Sequence, residues 1–159
     1  MKESAPVVDL SQATRLVEEM RSKGGTVVMA NGAFDPIHAG HVCYLRDARQ
    51  MGEFLVVAVN DDDSVRRLKG PGRPAVPASE RVAILAAQRF VDVVVLFAQD
   101  TVVDILNALK PDIHAKGPDY TAETVPERDV VAAYGGRTVI TSGSKDISSS
   151  DFLKRLRRP

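Results

Sequence analysis

Short runs of branched apolar residues alternate along this chain with longer stretches of helical spacing, and that alternation is its strongest constraint. TVVMA, FLVVAV, VDVVVLF and RTVIT, with the weaker PDIHA, have the length and composition of strands and are bounded by Gly, Asp or Gln. Between them, apolar residues recur at helical intervals over 39–51, 79–90, 101–109 and 126–134, with Ser79 placed as an N-cap. A strand apolar on both faces and followed by a helix-length connection belongs in a parallel sheet covered on both sides.

The expected fold class is α/β: a Rossmann-like, doubly wound parallel five-stranded sheet with helices on both faces. At 159 residues one domain is expected. Residues 1–25 are read as an N-terminal helix and linker, with Gly24 and Gly25 stopping a helix over 9–23, and residues 26–159 carry the alternating α/β fold. A final helix is expected over 148–158, serine-rich at its start and basic at its end.

Composition removes several function classes. Lys and Arg balance Asp and Glu at 21 each, so no global field draws the chain to nucleic acid. The single Cys43 excludes an internal disulfide framework and a cysteine-rich zinc site. No apolar run approaches the ~20 residues of a membrane span, and the first residues lack a signal-peptide block. The expectation is a soluble cytoplasmic protein, with the apolar strands and first helix as candidate faces for a homodimer.

The chemistry concentrates in NGAFDPIHAGH, residues 31–41, which holds two of the three histidines. It follows the first strand run and enters a helix, the place where open parallel sheets bind ligands. His38 and His41 stand over a helix N-terminus whose free N–H groups favour an anion. Two imidazoles there can donate to phosphate oxygens and follow charge as it moves. Gly32 and Gly40 leave room for close approach to the backbone. A transition-metal site from His38, His41 and Cys43 has poor geometry, because Cys43 falls on another face of the helix.

GAFDPIHAGH resembles the signature G-x-F-D-x-x-H-x-G-H of the cytidylyltransferase-like nucleotidyltransferases. The likeness runs from about Val27 to the C-terminus. Within that superfamily it is closest to the heptose 1-phosphate adenylyltransferases of bacterial ADP-heptose synthesis, through VAVNDDDSVRRLKG, RPAVPASERVAILAAQRFVDVVV, PDIHAKGPDY and the terminal serines. The resemblance implies a nucleotidyltransferase that joins a nucleoside monophosphate from a triphosphate, ATP in this branch, to a sugar 1-phosphate and releases pyrophosphate. Mg2+ is implied by the triphosphate; no carboxylate cluster in the sequence marks a resident metal. Some relatives carry a kinase domain ahead of the transferase, so a separate kinase and phosphatase are expected to supply the acceptor here.

Carried over residue by residue, His38, His41, Lys69 and Lys116 are the candidate catalytic groups. Gly32, Phe34, Asp35, Gly40, Lys116, Ser148, Ser149 and Ser150 join the histidines as candidate nucleotide contacts. Ile147 to Ser150 opens the last helix, where hydroxyls and free N–H groups suit phosphates or simply cap. Lys69 is read in a glycine-proline loop, able to close over phosphate as a point charge or to stay solvated. Asn60, Asp61, Lys69, Arg81 and Asp119 are candidate acceptor contacts. Each has a structural alternative: strand-ending turns for Asn60 and Asp61, pairing with Glu80 for Arg81, bracing of the loop for Asp119 and Tyr120. Asp35 before Pro36 reads first as a turn former.

The chain departs from the heptose pattern at Ala33, Pro118, Ser149–Ser150 and His114. These positions leave the acceptor and base open. Glycerol 3-phosphate with CTP and heptose 1-phosphate with GTP are the alternatives, and a non-catalytic nucleotide sensor is the alternative of another class.

Overall fold

The computed structural model describes residues 3–142 and 148–156. In chain order the elements are β1 (Val7–Val8), α1 (Leu10–Ser22), β2 (Val27–Gly32), α2 (Ala39–Arg49), β3 (Phe54–Asn60), α3 (Asp62–Lys69), α4 (Ala78–Ala86), β4 (Val93–Phe97), α5 (Val103–Leu109), β5 (Ile113–Lys116), α6 (Arg128–Ala133), β6 (Arg137–Ile140) and α7 (Ser149–Leu156). All strands pair in parallel in the order β1-β4-β3-β2-β5-β6. The sheet therefore has six strands among the described residues, not five. The addition is β1, whose two valines register with Val94 and Val95; two residues are too few to carry a period.

Side chains alternate across the pleat, and each face has its own helices. Val28, Ala30, Leu55, Val57, Val94 and Ala115 pack with Leu45 and Ala48 of α2 and Leu85 of α4. Val27, Met29, Val56, Ala58, Val93 and Val95 pack with Ala13 and Val17 of α1, Ile105, Leu106 and Leu109 of α5 and Val131 of α6. The apolar stripe of α1 is thus buried within the chain rather than left for a second copy.

Asp9 caps α1 by accepting from Gln12 N at 2.7 Å, and Gly24 ends it at φ 77°. For α4 the expected Ser79 cap is corrected: Pro77 holds the N-cap without a side-chain bond, and Ala78 N donates instead to Asp62 Oδ1 at 2.8 Å. Lys69 is likewise corrected from loop to helix, since α3 runs through it and stops at Gly70, φ 91°. Residues 147 and 158, expected at the ends of the last helix, lie outside the described residues.

The strand order reverses at β2, which has β3 on one side and β5 on the other. A crevice opens there because the connections after β2 and β5 leave toward opposite faces.

Candidate active site

A crevice of about 210 Å³ lies beyond the carboxyl ends of β2 and β5, lined by His38, Gly40, His41, Tyr44, Lys69, Gly117, Asp119, Ser148, Ser149 and Ser150. The N-termini of α2 and α7 both face it, so the positive ends of two helix dipoles converge on one volume.

His38 occupies the N-cap of α2, a place usually held by Ser, Thr, Asp or Asn. Its Nδ1 accepts from Gly40 N at 3.1 Å, and its own backbone N donates to His41 Nδ1 at 3.3 Å. Both Nδ1 atoms are thereby acceptors, which assigns the hydrogen of each neutral ring to Nε2. The rings stack with centroids 3.9 Å apart.

Both rings are held neutral. Burial, the neighbouring His38 and the Lys69 ammonium push His41 down to about 3. Burial also lowers His38, with the Asp119 carboxylate opposing. The Nε2 of His38 is buried and has no hydrogen-bond partner among the described residues. A donor left this way is a place for an acceptor to arrive.

The turn ahead of the histidines is built by Phe34 and Asp35. Phe34 takes φ 51°, a left-handed conformation that a bulky residue adopts only when its surroundings demand it. Its ring packs edge-on against His41 at 5.1 Å and stacks with Tyr44 at 6.5 Å. A Cβ on Gly32 would meet that ring at 3.4 Å, so Gly32 sits against Phe34. Asp35 is fully buried and accepts from Arg73 Nε at 2.7 Å and from Ala75 N and Val76 N at 2.8 Å each. Burial raises its pKa, but Arg73 and the two amides outweigh that and hold the carboxyl below its usual range. These three hydrogen bonds tie the signature turn to the loop after α3.

Ser148 caps α7, donating to Asp151 Oδ2 at 2.7 Å and accepting from Asp151 N at 3.1 Å. Ser149 Oγ donates to Pro36 O at 3.2 Å, and Phe152 comes within 6.3 Å of the His38 ring. These contacts dock α7 on the signature.

Five other sequence candidates stand off the lining. Asn60 is buried and its carbonyl accepts from Arg81. Asp61 caps α3 by accepting from Ser64 N at 2.7 Å. Arg81 is wholly buried and donates to the carbonyls of Ala33, Asn60 and Val76 and to Asp62 at 2.6–2.9 Å, a brace between the ends of β2 and β3 rather than a partner of Glu80. His114 on β5 bonds Asn31 Oδ1 at 2.8 Å through Nε2; burial first and Lys116 second push it down to about 3. Lys116 ends β5, but its ammonium rests 4.5 Å from the centre of the Tyr120 ring and 3.7 Å from Glu127.

Sequence reasoning missed Tyr44, Arg73 and Glu127. Tyr44 lies three residues beyond His41 on the same helical face, a spacing that was available. Its hydroxyl donates to Ala115 O at 2.7 Å, linking α2 to β5. Arg73 acts on a carboxylate 38 residues away, and nothing local announces it.

A family model described as cytidylyltransferase-like matches residues 29–155. Curated relatives named bifunctional protein HldE are 47% identical over 156 residues in Gluconobacter oxydans, covering 98% of this chain and 33% of that protein, and 45% identical over 151 residues in Alcanivorax borkumensis, covering 95% and 32%. The chain spans about a third of the length of these relatives. Among solved structures, one titled as a lipopolysaccharide core biosynthesis protein from Thermoplasma volcanium superposes with a TM-score of 0.65 at 28% identity, over 77% of this chain and 100% of that one.

Proposed function

Since this chain is a nucleotidyltransferase of the cytidylyltransferase-like family, we propose that it transfers the adenylyl group of ATP to heptose 1-phosphate, giving ADP-heptose and pyrophosphate. An oxygen of the sugar phosphate forms a bond to the α-phosphorus in line, and the bond from that phosphorus to the bridging oxygen of pyrophosphate breaks. The nucleophile is already an anion, so no general base is needed. What the protein must supply is orientation and donors for charge that moves toward the leaving group.

The observation that carries this reading is the pair of neutral imidazoles with Nδ1 capped by backbone amides, one of them offering a buried and unpartnered Nε2 donor. In this reading His38 and His41 donate to the α- and β-phosphates, Lys69 approaches as a cation, and the start of α7 receives the departing pyrophosphate. Lys116 stands behind the lining, next to Gly117, and is assigned to substrate phosphate from the end of β5. Mg2+ neutralises triphosphate charge and travels with it, bound by phosphate oxygens and water. Asp35 is spoken for by Arg73 and two amides, and no cluster of three metal-ligating side chains occurs among the described residues.

The heptose and adenine assignments rest on the KGPDY and SERVAILAAQRFVDVVV stretches, and the heptose also on the likeness to a lipopolysaccharide core biosynthesis protein. No helix among the described residues is long and apolar enough to cross a membrane. For a homodimer, the exposed Val7 of β1 and Leu96 of β4 are one apolar surface, with Leu68, Ile84 and Leu156 exposed elsewhere.

The test is pyrophosphate release with Mg2+, crossing ATP, CTP and GTP against heptose 1-phosphate, glycerol 3-phosphate and hexose 1-phosphates. Release with ATP and heptose 1-phosphate is the expected result. Turnover only with another pairing reassigns the substrates, and nucleotide binding without turnover on any pairing brings the sensor forward.

A further inference from the structure

Glu127 is an acidic residue nine-tenths buried beside the end of β5. Its backbone holds the N-cap of α6, but its side chain makes no capping hydrogen bond. Its Oε2 accepts no hydrogen bond from the described residues and lies 3.7 Å from Lys116 Nζ, with both side chains nearly closed to solvent, 11% and 7% exposed. A carboxylate in that setting is costly unless a charge beside it requires one.

We infer that Glu127 is a positioning residue for Lys116, holding its ammonium charged and in place at the end of β5 for substrate phosphate. The inference rests on the reading of Lys116 given above. Lys116 is followed directly by Gly117, which lines the crevice and has open space where a Cβ would stand. The groups around the ammonium are few. His114 on the same strand is neutral, and the hydroxyls of Tyr44 on α2 and Tyr120 on the loop are pushed up by burial, so neither supplies a negative charge. Asp119 acts on Tyr120 and on His38. Burial drives Lys116 toward its neutral form, and Glu127 is the group that opposes this. The Tyr120 face covers the other side.

The experiment measures kcat and KM for the triphosphate between pH 6 and 10 by pyrophosphate release, in wild type, Glu127→Gln, Glu127→Asp, Lys116→Ala and the Glu127→Gln/Lys116→Ala double variant. Glu127→Gln should lose about tenfold or more in kcat/KM. Its alkaline limb should move to lower pH, because a lysine without its carboxylate sheds its proton sooner. Glu127→Asp should recover part of the loss, and Glu127→Gln should add nothing once Lys116 is absent. A wild-type limb in Glu127→Gln, or an equal loss at every pH that persists without Lys116, overturns the inference. A full rate in Lys116→Ala overturns it as well, while nucleotidyl transfer itself stands. If no substrate pairing turns over, or Glu127→Gln does not fold, NMR titration of carbon-13-labelled lysine in the full chain still decides between wild type and Glu127→Asp. The Lys116 titration must fall in the variant, and an unmoved one overturns the inference.

Discussion

At the scale of single residues, the imidazoles of His38 and His41 hold a protonation state that follows from the backbone. An amide pointed at each Nδ1 leaves Nε2 as the donor, and burial keeps the rings uncharged. Replacing His41 by Ala should lower kcat at least ~100-fold, by analogy with loss of an oxyanion donor. Its effect on stability should stay near the ~1 kcal/mol of a lost cap, so steady-state kinetics and urea unfolding of the same variant separate the two roles. A second consequence concerns acid. His41 and His114 titrate near 3 in the folded chain and near 6.5 when exposed by unfolding, so below 6.5 the unfolded state takes up more protons. Folding stability is therefore full above pH 6.5 and declines as pH falls toward 3. Urea unfolding across that window should show the decline in wild type and a shallower one in His114→Asn.

Between elements, two carboxylates do most of the joining. Asp62, at the start of α3, accepts from Ala78 N and Arg81 of α4, and Arg81 also donates to Asn60 O at the end of β3. Asp35 receives Arg73 and two amides of the loop after α3, which fixes that loop against the signature turn. Asp35→Ala leaves those donors buried and unpaired. It should cost about 3 kcal/mol in unfolding free energy. It should also raise KM for the triphosphate, because the loop following Lys69 is no longer tied to the turn that carries His38. An unchanged urea midpoint would show that the staple contributes nothing to stability, and an unchanged KM that it does not position the loop.

For the whole molecule, the N-terminal segment is the question of interest. A boundary at residue 25 treats the first helix as an appendage, yet β1 extends the sheet beside β4 and α1 covers one of its faces with Ala13 and Val17 fully buried. Each buried valine of this kind contributes roughly 1.5–3 kcal/mol. We propose that residues 1–25 are part of the folding unit. Deleting them should lower stability by more than about 3 kcal/mol and drive the remainder toward insolubility. Thermal unfolding of the truncated chain checks this, and a wild-type melting temperature would make residue 25 a true boundary.

What the sequence determined by itself was whatever depends on near neighbours. The five longer strand runs declare themselves because branched apolar residues in strand-length runs, bounded by turn formers, are a local pattern, and the helices do so through helical spacing. The imidazole pair and the serine start of α7 were legible for the same reason: His38 with His41, and Ser148 with Asp151, are bonded within three residues of each other. Tertiary structure decided the rest. The two-residue strand β1 exists because β4 presents an open edge for it to pair with. Arg73 meets Asp35 across 38 residues and Arg81 meets Ala33 across 48, through acceptors that any polar atom could have matched in sequence. Lys116 was visible as a motif residue, but Glu127 became its counter-charge only when α6 folded back beside β5. A buried charge selects its partner by distance and desolvation, and neither quantity exists until the chain is packed.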